Sequence, residues 1–200
     1  SDLAKAISYA HNLRVATFGN NMRDVAVTDG NRLEAEIKYG WEIKYWGIGE
    51  IVDIAKGLTD AEIDKKMDEY LSKYEMDTDN TDAVREQARY EIAFEKFMEK
   101  NGCRAFTDTF QDLHNMKQLP GIAAQNLMAK GVGFGPEGDY KISALSATLM
   151  KMAETFYPGI KKIKLDTPLW NVRTNAFYTK LGYCEVKRDK EFVYYQKELD

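Results

Sequence analysis

Leu13-Arg-Val-Ala-Thr-Phe-Gly19 is a short, mostly apolar run that stops at a glycine. A run of this length and composition is typical of a strand buried inside a sheet. Cys103–Thr107 is a second run of the same kind, and helical patterns lie on either side of it. Strands that alternate with helices predict an α/β fold built in layers.

Helix signals surround these two strands. Thr59-Asp-Ala-Glu62 has the spacing of a capping box and predicts a helix that continues to about Tyr74. A longer helix is predicted from about Thr81 to Lys100, where Asn101-Gly102 ends it. Further helices are predicted at residues 2–11, 50–57, 120–130 and 140–156.

No helix is predicted between the first strand and residue 50. Val25–Gly30 and Leu33–Tyr39 are predicted to form a hairpin, because Asp29-Gly30 is a strong two-residue turn signal. Gly40–Gly49 is aromatic but has no clear period, so we expect it to be irregular.

Pro158-Gly159 is predicted to break the chain after the helix at 140–156. A strand at 160–166, a helix at 171–181 and strands at 183–188 and 192–197 are predicted beyond it. We therefore expect a first domain at residues 1–153 and a C-terminal segment at residues 154–200. The strands of this segment are expected to dock on the edge of the first sheet, which would otherwise be left unpaired.

The composition of the 200 residues limits the classes of function. The apolar share is 44%, the net charge is −4, and no run of about 18 apolar residues occurs. This balance favours neither nucleic acid nor a membrane as a partner. Two cysteines are too few for a disulfide framework, and no leader sequence is recognised, so we expect a cytoplasmic protein.

Four idiosyncratic strings stand in order along the first domain: Arg14-Val-Ala-Thr-Phe-Gly-Asn-Asn-Met-Arg-Asp-Val-Ala-Val-Thr-Asp-Gly30, Ala105-Phe-Thr-Asp-Thr-Phe-Gln-Asp-Leu-His114, Lys117-Gln-Leu-Pro-Gly121 and Gly133-Phe-Gly-Pro-Glu-Gly-Asp139. Together they resemble the middle domain of the L-arabinose isomerase family over residues 13–153. The resemblance implies a Rossmann-like α/β sandwich. It also implies interconversion of an aldose and a ketose with a divalent metal, usually manganese, and a sugar as the small-molecule partner.

The same resemblance assigns site residues. Glu137 corresponds to a carboxylate that is both a metal ligand and a catalytic group, while Met22, Phe110 and Asp139 correspond to substrate-binding positions. Such chemistry needs a carboxylate to move a proton between neighbouring carbons and a metal to polarise the sugar oxygens. The family's second catalytic glutamate, two histidine ligands and N-terminal domain have no counterpart in the 200 residues. We therefore expect an incomplete metal site.

The C-terminal segment contains Asn171 followed by Phe177-Tyr178 and Leu181-Gly182-Tyr183. Over about residues 157–199 it resembles the closing portion of a GNAT N-acetyltransferase, which runs strand, helix, strand, strand. The resemblance implies that Asn171 lies near acetyl-CoA and that Tyr178 protonates the leaving thiolate. Lys130–Gly135 mimics the pyrophosphate loop of that family, but two acidic residues follow it, which disfavours phosphate.

Three functions remain open at this point. The first is a fragment or chimera derived from an L-arabinose isomerase and inactive alone, the second is an acetyltransferase with a replaced N-terminal half, and the third is a structural module that forms a homo-oligomer. A structural role is also available for each candidate residue. Acidic residues such as Glu137 and Asp139 suit the start of a helix, and Met22, Phe110 and Tyr178 suit a core.

Overall fold

Two separate sheets organise the residues that the computed structural model describes, namely 2–156, 159, 162–180 and 182–198. The chain divides into two compact units, Ser1–Phe156 and Tyr157–Asp200. The first sheet belongs to the first unit and the second sheet to the second.

The first sheet has four parallel strands in the order β2-β1-β3-β4. Their bounds are β1 Arg14–Phe18, β2 Glu42–Trp46, β3 Ala105–Asp108 and β4 Gly133–Phe134. The sheet is parallel and alternates with helices, which confirms the predicted α/β class. The apolar run that begins at Leu13 is the central strand β1, as predicted.

Seven helices of the first unit are described: α1 Asp2–His11, α2 Arg32–Tyr39, α3 Gly49–Lys56, α4 Asp60–Lys73, α5 Thr81–Asn101, α6 Gly121–Ala129 and α7 Tyr140–Phe156. The capping box is confirmed, because Glu62 N–H donates to Thr59 Oγ1 (3.3 Å) and Thr59 N–H donates to Glu62 Oε2 (2.8 Å). Gly102 ends α5 with a φ of 63°, a left-handed conformation that a glycine adopts without strain.

The two faces of β1 are both buried. Ala16 and Phe18 point into a core shared with α3, α5 and α6, where the Phe18 ring lies 5.4 Å from Phe94 and 5.0 Å from Phe97 between centroids. Val15 points into a second core, which α7 closes. A strand buried on both faces reads as a continuous apolar run, which explains why the sequence revealed it.

The predicted hairpin is wrong. Ala26–Thr28 forms a short 3₁₀ helix and Arg32–Tyr39 forms α2. The reason is a local cap: Asn31 Oδ1 accepts a hydrogen bond from Glu34 N–H at 3.0 Å, which satisfies a free donor of the first helical turn. In this helix Leu33, Ile37 and Tyr39 are exposed, and of the apolar residues only Ala35 is buried.

The segment predicted to be irregular contains strand β2, which pairs with β1 from Arg14↔Glu42 to Phe18↔Trp46. Among the described strands β2 is an edge strand, and its charged residues Glu42 and Lys44 remain partly exposed. Edge strands commonly carry such charges. Here the charged residues interrupt the apolar run, so the sequence pattern does not indicate a strand.

The second unit follows the predicted order of strand, helix, strand and strand. Its elements are β5 Lys162–Pro168, α8 Val172–Lys180, β6 Cys184–Arg188 and β7 Phe192–Glu198. The strands pair antiparallel in the order β5-β7-β6. These three strands form a sheet of their own, and the expected docking of the segment on the first sheet stays a prediction. Pro158 of the predicted break, positions 160 and 161 of the predicted strand and position 181 of the predicted helix lie outside the described residues.

None of the helices in the described ranges combines the length and apolar character needed to cross a membrane. Cys103 is a buried free thiol and Cys184 an exposed one.

Candidate functional site at the carboxyl ends of the parallel strands

The strand order reverses between β1 and β3, since the chain passes from β1 to β2 on one side and later to β3 and β4 on the other. In open parallel sheets, ligands bind beyond the carboxyl ends of the strands at this point of reversal. Three loops begin there: residues 19–24 after β1, residues 109–116 after β3 and residues 135–139 after β4.

Main-chain hydrogen bonds join the three loops. Met22 N–H donates to the Glu137 carbonyl at 2.9 Å, and Gly138 N–H donates to the Asp108 carbonyl at 2.9 Å. Gly138 has a φ of 80°, and a Cβ at this position would overlap the Asn20 carbonyl. The loop that carries Glu137 is therefore held against the other two loops by its backbone.

Glu137 itself has a φ of 63°. Residues other than glycine adopt this left-handed conformation rarely and at some cost, so the surrounding contacts impose it. Strained backbone of this kind is found preferentially at functional sites. The conformation presents a partly exposed glutamate at the reversal point of the sheet.

A cavity of about 320 Å³ opens beside Glu137. Two of its lining residues are acidic, Asp108 and Glu137, and one carries an amide, Gln125. The others are apolar or glycine: Phe110, Leu119, Pro120, Gly121, Ala124, Met128, Phe134 and Pro136. The Phe110 side chain is 53% exposed. A mostly apolar cavity with a few convergent polar groups is the usual form of a small-molecule site.

Asp108 is the last residue of β3 and only 7% exposed. Burial raises the pKa of its carboxyl group to about 6. Its Oδ2 atom is buried and has no hydrogen-bond partner within the described part of the chain. The sequence prediction did not single out Asp108, because a strand-terminal aspartate gives no sign of how deeply it will be buried.

The candidate residues of the first unit lie in the three loops that follow β1, β3 and β4. Phe110 and Glu137 line the same cavity, and Met22 contacts Glu137 through the main chain. Asp139 has a structural role at the start of α7, where its Oδ1 accepts from the N–H groups of Lys141 (3.0 Å) and Ile142 (3.1 Å). An N-terminal cap of this kind also complements the helix dipole.

Arg32 is a second feature that the sequence prediction missed. Its guanidinium carbon lies 3.2 Å from the centroid of the Tyr45 ring and 5.3 Å from that of Tyr140. Its Nη2 donates to Asn20 Oδ1 at 3.3 Å, while Nη1 is buried without a partner among the described residues. Burial lowers the pKa of this side chain. The predicted hairpin leaves Arg32 between its two strands and gives no sign of its placement against two aromatic rings.

The donor set does not fit a complete divalent-metal site. Within the described ranges, no three or more His, Cys, Asp or Glu side chains come together in a metal-binding group. Asp108 and Glu137 line one cavity, but a hard divalent cation takes about six ligands in a defined geometry.

The two candidates of the second unit have structural contacts. The Tyr178 ring packs 5.6 Å from Tyr183 and 5.8 Å from Tyr195 between centroids. Asn171 caps α8, because its Oδ1 accepts from Thr174 N–H at 3.1 Å. In the first unit, Lys130 begins the segment that mimics a pyrophosphate loop. Its ammonium group forms an ion pair with Glu91 at 2.8 Å.

The fold defines an α/β domain of the doubly wound class, with helices on both faces of a parallel sheet. Its cavity lies at the carboxyl ends of β3 and β4. Residues 14–155 match the L-arabinose isomerase central domain, and the chain belongs to that family.

Three relatives show how far the similarity extends. The L-arabinose isomerase of Clostridium beijerinckii is 48% identical over 151 residues, which are 75% of this chain and 31% of the relative. L-arabinose isomerase 2 of Bacillus licheniformis is 46% identical over 164 residues, 79% of this chain and 35% of the relative. The L-arabinose isomerase of Shouchella clausii is 51% identical over 142 residues, which are 70% of this chain and 29% of the relative. The chain thus spans about a third of the length of these relatives.

Proposed function

We propose that the first unit provides one part of an aldose–ketose isomerase site for L-arabinose, with Glu137 as its catalytic carboxylate. The observation that carries the proposal is the shared cavity of Glu137 and Phe110 beyond the carboxyl ends of β3 and β4. Membership of the isomerase family and the relatives' printed activity support it. Met22 contributes by fixing the Glu137 main chain, and Asp139 by starting α7 directly behind the loop.

Isomerisation of an aldose to a ketose moves a proton between two neighbouring carbons. A carboxylate held beside the sugar can remove that proton and return it to the next carbon, which is the role proposed for Glu137. The charge that develops on the sugar oxygens needs an electrophile as well. The resemblance implies manganese for this purpose, and the described residues supply too few ligands for it. We therefore propose that the chain by itself does not turn over L-arabinose.

A turnover assay tests this proposal. The chain, its Glu137→Gln variant and the Clostridium beijerinckii isomerase as positive control are incubated with L-arabinose and Mn²⁺, and the ketose is measured. We expect ketose only in the positive control. If the chain produces ketose and the Glu137→Gln variant does not, the chain is active by itself and the role of Glu137 stands. Production that Glu137→Gln leaves unchanged would contradict both.

For the second unit we propose an origin in an acetyltransferase-like strand–helix–strand–strand segment without coenzyme chemistry. The element order supports the origin, and the contacts of Tyr178 and Asn171 within their own sheet and helix support the absence of chemistry. Calorimetry with acetyl-CoA is expected to give no heat of binding at millimolar ligand. Saturable heat that Tyr178→Phe or Asn171→Ala alters would revive the acetyltransferase alternative.

A further inference from the structure

Asp108 combines three properties that are seldom found together without a ligand. It is only 7% exposed, its Oδ2 is buried with no partner among the described residues, and it lines the cavity next to Glu137. Buried polar atoms are nearly always hydrogen-bonded, and a buried carboxylate oxygen without a donor is costly. A native carboxyl group in this state is therefore available to a donor that enters the cavity.

The neighbouring structure does not need this side chain. The loop that carries Glu137 is held by the Asp108 carbonyl, which accepts from Gly138 N–H at 2.9 Å, and by Thr107 Oγ1, which donates to the Gly135 carbonyl at 2.5 Å. The cap of α7 is provided by Asp139. A different side chain at position 108 would leave all of these bonds in place.

The walls of the cavity indicate which kind of donor fits. Leu119, Met128 and Phe134 offer apolar surface, and Phe110 offers a partly exposed ring. Two carboxyl groups in one cavity disfavour an anion, and acceptors opposite apolar walls suit a molecule with hydroxyl groups on a C–H framework. An open-chain or cyclic sugar has this character.

We propose that Asp108 is a positioning residue that accepts hydrogen bonds from sugar hydroxyl groups and so orients the substrate against Glu137. The inference rests on the proposed function, because it places a sugar in the same cavity. It goes beyond that function in assigning the buried end of β3 as the anchor of the sugar. Asp108 acts on the orientation of the substrate and not on the transferred proton.

The test uses L-arabitol, which cannot isomerise, and follows its binding to the whole chain by NMR. Asp108→Asn and Asp108→Ala are compared with wild type and with Asp112→Asn. Asp112 lies on the same loop and pairs with Arg23 at 3.4 Å, so its variant is a matched control. We expect the alanine variant to bind at least about tenfold more weakly, the worth of one hydrogen bond to a charged group. The Asp112→Asn variant should bind as wild type does.

Singly deoxygenated L-arabitols separate a contact from a structural effect. In wild type, removal of one particular hydroxyl group should weaken binding about tenfold, and in Asp108→Ala the same removal should have little effect. A merely structural role of Asp108 would weaken all analogues alike. Where Asp108→Ala does not fold, the same comparison is made with Asp108→Asn, which keeps the size of the side chain.

Each other outcome overturns the inference in a recognisable way. If wild type binds L-arabitol and the variants at position 108 bind equally well, the role of Asp108 is wrong and the sugar site stands. If wild type binds no L-arabitol, the sugar site and the inference both fail. If Mn²⁺ alone binds wild type but not Asp108→Asn, the carboxyl group is a metal ligand and not a sugar anchor.

Discussion

At the level of single residues, the site contains two energetically unfavourable features. Glu137 adopts a left-handed backbone, and Asp108 buries a carboxyl oxygen without a partner in the described structure. The sequence strings that resemble the isomerase family identified Glu137, Phe110 and Met22 as candidates, and the structure brings them to one edge of the sheet. Asp108 and Arg32 could not be predicted, because burial and ring stacking depend on residues distant in sequence.

Asp108→Asn tests the cost of the buried carboxyl group. The pKa of Asp108 is raised from its usual 3.8 to about 6, so between these pH values the folded state binds more protons than the unfolded state. The free energy of unfolding therefore falls as the pH rises through this window, and the full penalty applies above it. We expect Asp108→Asn to be more stable than wild type at pH 7 by on the order of 1–3 kcal/mol and to lose this advantage below pH ~4.

Urea unfolding of both proteins across this pH range measures the difference. Asp112→Asn again serves as the control, because its carboxyl group is paired near the surface. A variant at position 108 that is less stable than wild type at pH 7 would show that the carboxylate has a stabilising partner.

Gly138→Ala tests the close approach of the loops. A Cβ at this position would overlap the main chain of Asn20 and Asn21, and the φ of 80° is itself unfavourable for alanine. We expect a loss of about 2 kcal/mol or more in unfolding free energy, together with altered amide shifts in residues 19–24. Gly47→Ala is the matched control, since no atom lies within 4 Å of a Cβ placed there and its loop follows β2. Equal stability of the two variants would contradict the packed arrangement of the loops.

At the level of elements, local signals predicted those helices that carry their own caps. Thr59-Asp-Ala-Glu62 and Asn101-Gly102 set the start of α4 and the end of α5, and both were read correctly from the sequence. The helix α2 was missed because Asp29-Gly30 resembles a hairpin turn, and β2 was missed because the pairing with β1 that defines it is a contact between distant segments. The Asp29-Gly30 pair is compatible with a hairpin turn and with the approach to a capped helix, so it does not decide between them.

A buried charge network joins three of the helices. Glu91 of α5 is fully buried and accepts from Tyr70 Oη of α4 (2.6 Å), Asn126 Nδ2 of α6 (2.6 Å) and Lys66 Nζ of α4 (3.1 Å). Lys130, which follows α6, pairs with it at 2.8 Å. Despite burial, these partners lower the pKa of Glu91, so its stabilising contribution is present near neutral pH and is lost as the pH falls into the acidic range.

Glu91→Gln should remove the centre of this network. Lys66 would remain buried with less compensation, and breaking a buried pair in this way costs about 3–5 kcal/mol. Glu34→Gln is the control, since Glu34 and Lys38 form an exposed pair at 2.5 Å whose loss should cost less than about 0.5 kcal/mol. Thermal and urea unfolding measure both. A similar small loss in the two variants would mean that Glu91 contributes little to the packing of α4, α5 and α6.

At the level of the whole molecule, the chain consists of two compact units with different sheets. The family match ends at residue 155, and the first compact unit ends at Phe156. The parallel sheet and its cavity belong entirely to the first unit, and the second unit has a small antiparallel sheet around Val193 and Tyr195. The strand pairing of the second unit could not be predicted, because either sheet edge offers free main-chain groups to a new strand.

The central claim is that the first unit binds a sugar at the carboxyl ends of its parallel strands. It is tested most directly by an NMR titration of the chain with L-arabinose, in which every assigned backbone amide is followed. We predict saturable shifts in the loops after β1, β3 and β4, with Asp108, Phe110, Glu137 and Gly138 among them, and no response in residues 162–198. An absence of shifts in those three loops, or shifts confined to residues 162–198, would contradict the account.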